Sequence, residues 1–261
     1  MVFCTTFDEK IKKMPKYEPY IQDKRFVSGQ EMFSYTRNRE TVSSLLYKYK
    51  KKNIITRIRK NVYLPTNPDD GYVDENKFEI GCSSVPDSYL SYHSAMEYYG
   101  WQNQVFNRIY LSAPKRFRPF EFDFVEYTYA PDKLRQGIIK PETDKQIYVT
   151  DLERTVVDCA DRLDLAGGYE EFIYNLEFVR NVDEDKLLFY LSLYGKQALY
   201  QRAGFILSLF KGRMHLSDGF FEQCRTKVGK STRYLTARPE SDTYIPEWKI
   251  CVPQYLLSLT R

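Results

Sequence analysis

Residues 35–64 read YTRNRETVSSLLYKYKKKNIITRIRKNVYL. Within them Val42, Leu45, Leu46 and Tyr49 recur at i, i+3, i+4 and i+7, the spacing that lines up one side of a 3.6-residue helix. Arg37, Glu40, Thr41, Ser44, Tyr47, Lys48 and Lys51 then point the other way. Lys52 and Asn53 supply a C-terminal stop. Beyond them, Ile54-Ile55 and the run from Arg57 to Leu64 form two β-leaning stretches that turn about Lys60-Asn61, which puts Arg57, Arg59 and Lys60 near a hairpin tip. An apolar-backed basic helix followed at once by a basic hairpin is the sequence pattern of a winged helix-turn-helix.

Working outward, Ser28-Gly29-Gln30-Glu31 is a capping box, with Ser at the N-cap and Glu three residues on, and it predicts a short helix through Met32 and Phe33. The Lys-rich segment 7–24 carries Ile11, Met14, Tyr17, Tyr20 and Ile21 at near-helical spacing, broken by Pro15, and would supply a first helix. Pro65 and the turn-forming run 66–71 close this head. The expected division is a DNA-binding winged helix-turn-helix over 1–65 and a larger domain over 66–261, together an α+β protein.

Charge follows the same division. Residues 1–65 hold 15 Lys+Arg against 6 Asp+Glu, a net of +9, which leaves 24 against 29, a net of −5, for the remainder of the 261-residue chain. A basic head on an acidic body points to a polyanionic partner for the head. No apolar run approaches the ~18 residues of a membrane-spanning helix, so no membrane partner is expected. Five cysteines, odd in number, widely spaced and without a CxxC, fit reduced thiols and a cytoplasmic setting.

The larger domain is predicted to open with a helix over 88–101, its serines at the N-terminus and Gly100 at the C-terminal end. Strands follow at 106–113 and at 120–129, where alternation changes phase as at a β-bulge near Phe124-Val125, and again at 146–149. Thr150-Asp151-Leu152-Glu153 is a second capping box, with Thr150 at the N-cap, leading into a helix with Leu152, Val156, Cys159 and Leu163 on one side. Helical stripes occupy 169–180, 185–194, 197–211 and 217–228. A strand around 248–252 could return to the sheet.

Catalytic chemistry finds little support. Glu121 with Asp123, and Asp132 with Glu142, Asp144 and Lys145, are the carboxylate sets nearest to what a Mg²⁺-dependent nuclease needs. Glu121 and Asp123 sharing one strand face is equally what a half-exposed strand gives. There is no phosphate-binding Gly-rich loop, no Cys/His ligand set and no nucleophile elbow. No enzyme activity, metal or cofactor is therefore expected. Glu153 reads as a helix cap, Arg154 as an i+4 partner of Asp158, and His93 as a packing residue among aromatics. Lys115, Arg116 and Arg118 form a second small basic cluster, either a solvated loop or a contact surface.

Several of these segments carry a family resemblance. Residues 89–101, which read YLSYHSAMEYYGW, and 149–158, with Thr150, Asp151, Leu152, Glu153, Arg154, Thr155 and Asp158, resemble the core of the AbiEi abortive-infection antitoxin family. Residues 57–64 resemble that family's basic wing, with Asn61 where Gly is usual, and QRAGFIL at 201–207 and EWKI at 247–250 resemble its C-terminal segments. The resemblance spans about Phe26 to Pro253. It implies a type IV toxin–antitoxin system of phage defence, in which the winged helix represses its own operon and the C-terminal domain counteracts a nucleotidyltransferase toxin.

Recognition helices reach base edges through outward residues near their N-termini, so Arg37, Glu40, Thr41 and Ser44 are the base-reading candidates. Tyr47, Lys48, Lys51, Arg57, Arg59 and Lys60 are candidates for phosphates or a minor groove. The expected partner is double-stranded DNA, the protein's own promoter, read as inverted repeats. Two other readings stay open: a plain transcriptional regulator whose C-terminal domain binds a ligand or self-associates, and a metal-dependent nuclease.

Overall fold

The computed structural model describes Ile21 and residues 24–66, 76–143, 145–238, 240 and 242–258, so nearly all of the helix expected over 7–24 lies outside the described residues. The protein is a mixed α+β structure in two compact units, one of Met1–Asn76 with Phe120–Phe122 and one of Lys77–Pro119 with Asp123–Arg261.

In the N-terminal unit, strand β1 (Val27–Ser28) leads into helices α1 (Gly29–Thr36) and α2 (Arg39–Lys51), then strands β2 (Ile55–Arg59) and β3 (Val62–Pro65). The three strands form an antiparallel sheet in the order β1-β3-β2. Each helix start has a local cause. The Ser28 hydroxyl accepts from Glu31 N (2.9 Å) and the Asn38 side chain accepts from Glu40 N (2.9 Å) and Thr41 N (3.2 Å), satisfying donors that have no partner within the helix. The α2 side that carries Val42, Leu46 and Tyr49 is buried with Ile21, Val27, Met32, Ile54 and Ile55, and Leu45 packs against this cluster.

Strand β1 has no signature in the sequence, because two residues are too short to show a period. Its partner is the hairpin, and the bond from Gly29 N to Asn61 O (3.0 Å) ties the start of α1 to the hairpin turn.

The C-terminal unit holds α3 (Lys77–Ser84), β4 (Tyr89–Leu90), α4 (His93–Tyr98), β5 (Arg108–Ala113), and then β6 (Phe120–Phe122), which groups with the N-terminal unit. It continues with β7 (Val125–Pro131), β8 (Ile138–Ile139), β9 (Val149–Thr150) and helices α5 (Leu152–Asp161), α6 (Tyr169–Leu176), α7 (Glu184–Tyr194), α8 (Gln197–Ser208), α9 (Lys211–Met214) and α10 (Asp218–Thr226). Strands β10 (Arg233–Tyr234), β11 (Thr243–Ile245) and β12 (Ile250–Val252) follow. Five strands run in the order β7-β5-β4-β9-β8, with β5 parallel to β7, β4 parallel to β9 and the other two pairings antiparallel. Helices α4 to α10 and β12 share one large core that includes Trp248. Gly204 on α8 is needed there, since a Cβ at that position would run into the Trp248 ring.

Several expectations are corrected. The stretch 88–101 is not one helix but strand β4, a turn at Tyr92 (φ 54°) and the short α4. Its serines tie the backbone down instead of opening a helix: Ser91 Oγ meets Ser112 Oγ at 2.9 Å, and Ser94 Oγ accepts from Tyr110 N at 2.8 Å. The change of phase after Phe122 is a break between strands, not a bulge, because Asp123 and Phe124 both sit at positive φ (50° and 59°). The strand expected over 146–149 is β9, two residues long. Asp151, not Thr150, caps α5, accepting from Arg154 N at 2.8 Å, because the Thr150 hydroxyl is engaged with that of Thr155 at 2.8 Å. The stripe expected over 197–211 ends at Ser208, and that over 169–180 ends at Leu176. Strand β12 joins β10 and β11 in a separate small sheet, ordered β10-β12-β11, and not the larger one.

Candidate nucleic-acid interface

The sequence of α2 and the hairpin leaves its polar groups outside. Arg37, Glu40, Thr41, Ser44, Tyr47, Lys48, Lys51, Arg57 and Lys60 are all exposed, with Tyr47 at 69%. Arg37 does not lie on α2. It closes α1 in the left-handed region (φ 53°), its N–H donating to Phe33 O at 2.8 Å, so its side chain leaves from the turn between the helices. Arg59 is also placed differently from a solvated tip residue. It is half-buried, its guanidinium lies over the Phe120 ring at 5.0 Å, and burial lowers its pKa.

The hairpin turn at Lys60-Asn61 has Asn61 at φ 64°, a conformation that Asn tolerates better than most residues. The pairing shifts register between Arg57 and Arg59, a bulge that strengthens local twist just before the turn. Arg57 is steadied by its own hairpin, Nε donating to Arg59 O at 3.3 Å.

A groove of ≈ 800 Å³ lies between α2 and the hairpin, with Arg39, Ser43, Tyr47 and Lys50 along the helix side and Arg57, Asn61 and Tyr63 along the other. The Arg39 guanidinium sits over the Phe33 ring at 5.8 Å. Among the described residues no carboxylate pairs with Arg37, Arg39, Lys48, Lys50, Lys51, Arg57 or Lys60. Positive charge on both walls of the groove is therefore uncompensated, an electrostatic match for a phosphate chain.

Sequence reasoning missed Arg39, Ser43 and Lys50. The signal was present: once Asn38 is taken as the cap, these residues recur along one stripe at spacings of four and seven. Glu40, Ser44, Lys48 and Lys51 form the adjacent stripe. Because Asn38 already occupies the backbone N–H groups of Glu40 and Thr41, contacts at this end of α2 fall to side chains.

The C-terminal unit, by contrast, buries several charged groups. Arg154 and Asp158 are each 1% exposed and pair at 2.6 Å, and Arg154 also donates to Leu134 O (3.1 Å) and Gln136 O (2.6 Å). Glu153 does not cap its own helix. Its carboxylate accepts from Asp183 N at 2.9 Å, at the start of α7. His93 is buried 3.5 Å from Glu171, edge-on to Phe106, and burial lowers its pKa.

The carboxylate sets weighed for a nuclease do not form one ligand group. Asp123 lies outside the strand that carries Glu121. Asp132 is engaged by the Tyr89 hydroxyl (2.6 Å) and Arg135 (3.1 Å), Glu142 is exposed, and Asp144 lies outside the described residues. Among the described residues no cluster of His, Cys, Asp or Glu could hold a metal ion. Lys115, Arg116 and Arg118 are exposed, with Arg116 5.9 Å from the Tyr129 ring. Cys82, Cys159 and Cys224 are buried free thiols, and burial pushes Cys82 and Cys224 up to about 12. Among the described residues no helix is long and apolar enough to cross a membrane.

No protein-family description and no curated protein matches this chain. Among solved structures it is similar to the RV2827C protein from Mycobacterium tuberculosis, with a TM-score of 0.65 and 14% identity over 95% of this chain and 96% of that one. At that identity the likeness is one of fold.

Proposed function

We propose that the N-terminal unit is a winged helix-turn-helix that binds double-stranded DNA, with α2 as recognition helix and β2-β3 as wing, and that the protein is an antitoxin and autorepressor of a type IV toxin–antitoxin system. The observation that carries the DNA reading is the groove between α2 and the hairpin, with uncompensated cations on both walls: Arg39 and Lys50 on one, Arg57 on the other. The element order strand, helix, helix, hairpin supports it, as does the short strand β1 pairing with β3.

In this reading Glu40, Thr41 and Ser44 face base edges, with the Glu40 carboxylate suited to a cytosine amino group. Arg37, Tyr47, Lys48, Lys51 and Lys60, with Arg39, Lys50 and Arg57, hold phosphates and fix register. Arg59 braces the hairpin. The operator is an inverted repeat in the protein's own promoter and the setting is cytoplasmic. The toxin-neutralising half rests on the AbiEi resemblance of residues 89–101 and 149–158 and assigns that task, against a nucleotidyltransferase, to the C-terminal unit.

The test is binding of the pure protein to the DNA just upstream of its gene, beside a scrambled duplex, over a range of salt. Thr41→Ala with Ser44→Ala should remove the preference for the native site while leaving scrambled-duplex affinity in place. Lys50→Gln with Arg57→Gln should weaken both duplexes and flatten the plot of log K against log salt by about 0.9 for each phosphate that is no longer neutralised. If the native and scrambled duplexes bind alike, or Lys50 and Arg57 can be changed without altering the salt slope, α2 is not a recognition helix. The second half requires a nucleotidyltransferase encoded beside this gene, and co-expression with it is the test: growth should be restored by the native protein and equally by the DNA-binding variants.

A further inference from the structure

A cavity of ≈ 450 Å³ in the C-terminal unit is lined by Ala198 and Arg202 of α8, by Thr232, Arg233 and Tyr234 at β10, and by Arg238 and Ile250. Three of these lining residues are arginines. Ala198 and Arg202 are one turn apart, so both present to the same side of α8.

Arg202 is held in place from behind, donating to Ala160 O (2.8 Å) and Asp161 O (3.0 Å). Its charge is not met by a carboxylate. The Asp161 carboxylate is already engaged by Lys133 (2.5 Å) and Lys196 (2.7 Å), and that of Asp164 by both arms of Arg162 (2.8 and 2.6 Å). Burial accordingly lowers the Arg202 pKa despite the two aspartates nearby. Arg238 lies over the Tyr234 ring at 4.9 Å, and among the described residues neither Arg233 nor Arg238 has a salt-bridge partner.

We propose that this cavity binds a small phosphorylated ligand of nucleoside monophosphate size, the arginines taking the phosphate and Tyr234 the flat organic part. Arginine forks match phosphate oxygens two at a time. The volume lies within the range of small-molecule pockets. The site shares no lining residue with the groove of the N-terminal unit and does not depend on the DNA reading. It would give the C-terminal unit a ligand to sense.

Titration calorimetry on the full chain tests it, with AMP, UMP, inorganic phosphate and adenosine as probes. AMP or UMP should bind at least 10-fold more tightly than inorganic phosphate, with adenosine silent. Arg233→Gln with Arg238→Gln, at two exposed positions without a carboxylate partner among the described residues, should weaken binding by about 10–100-fold per arginine. Arg202→Lys keeps the charge but loses the fork held by two carbonyls, and should weaken it as well. Lys50→Gln with Arg57→Gln should leave it unchanged. The proposal is overturned by no nucleotide binding, by binding that survives Arg233→Gln with Arg238→Gln, or by nucleotide no tighter than phosphate. It is also overturned if those two arginines are needed for a short DNA duplex but not for AMP, which would make the cluster a nucleic-acid contact.

Discussion

The two units use charge in opposite ways. In the N-terminal unit the core is built from Ile21, Val27, Met32, Val42, Leu46, Tyr49, Ile54 and Ile55, and the cations on α2 and the hairpin, apart from the half-buried Arg59, face solvent. In the C-terminal unit Arg154, Asp158, Glu171 and His93 are buried and bonded to one another or to backbone carbonyls and amides. Exposed charge is available to a partner and contributes little to stability. Buried charge is committed to the fold, and removing half of a pair leaves the other half without its solvent or its partner.

The sharpest way to break that comparison is Arg154→Ala. Asp158 would keep only the Tyr194 hydroxyl among its close side-chain partners in the described residues, Gln136 O would lose the Arg154 donor, and Leu134 O would be left with the Tyr89 hydroxyl at 3.3 Å. The expected loss is about 3–5 kcal/mol, within the range for opening a buried pair. Both tryptophans, Trp101 and Trp248, belong to the C-terminal unit, so tryptophan fluorescence during urea unfolding reports on that unit. Arg154→Met combined with Asp158→Leu should recover part of the loss. DNA affinity should not change, and a fall in it alongside an unaltered unfolding curve would show that Arg154 serves binding rather than the fold.

A smaller effect is expected at Asp161, which lies at the edge of the same interior. Burial alone would raise its carboxyl, but hydrogen bonds from Lys133 and Lys196 hold it below the usual carboxylate range. A depressed folded pKa contributes stability above the unfolded value of about 3.9, and that contribution is lost as pH falls through the folded one. Lys133→Met with Lys196→Met removes both donors, so burial then weighs more heavily and the acid unfolding midpoint should move to higher pH. Adding Asp161→Asn should abolish the shift. If the midpoint stays where it was in the double lysine variant, the lysines are solvated and the carboxylate is held by something else.

This contrast also explains what can be read from the sequence. Helices α1 and α2 and the hairpin are legible because an apolar stripe at 42, 46 and 49, a Ser28 cap and a Lys60-Asn61 turn are local signals that agree with one another. Periodicity alone does not show that α1 ends at Arg37 and that Asn38 opens α2, so it puts Arg37 on the recognition helix and hides the stripe of Arg39, Ser43 and Lys50. In the C-terminal unit, helices α7 and α10 announce themselves through caps and stripes. The two-residue strands β4 and β8 do not, since such strands exist by pairing with distant residues and carry no period of their own. Serines 91 and 94 mislead for the same reason: a hydroxyl that caps a helix and one that ties down a neighbouring strand are the same residue in sequence. The arginine-lined cavity is invisible there because Arg202, Arg233 and Arg238 meet only through the packing of α8 against a small sheet closed by the tail.

The smallest expected effect tests the hairpin that presents Arg57 and Lys60. Asn61 sits at φ 64°, and its carbonyl accepts from Gly29 N, so the turn is coupled to the start of α1. Glycine reaches this region without strain, whereas a residue with an ordinary Cβ loses about 1 kcal/mol there. Asn61→Gly should therefore leave urea unfolding of the N-terminal unit, followed by circular dichroism, within about 0.5 kcal/mol of the native chain, and Asn61→Ala should lower it by about 1 kcal/mol. The same pair separates turn geometry from side-chain chemistry at the groove. Asn61 lines that groove, so equal DNA affinity for the native chain and Asn61→Gly would mean that the side chain matters only for the turn. A loss of affinity in Asn61→Gly at unchanged stability would instead make the Asn61 amide a contact in its own right, and the N-terminal unit's site would then extend to the hairpin turn itself.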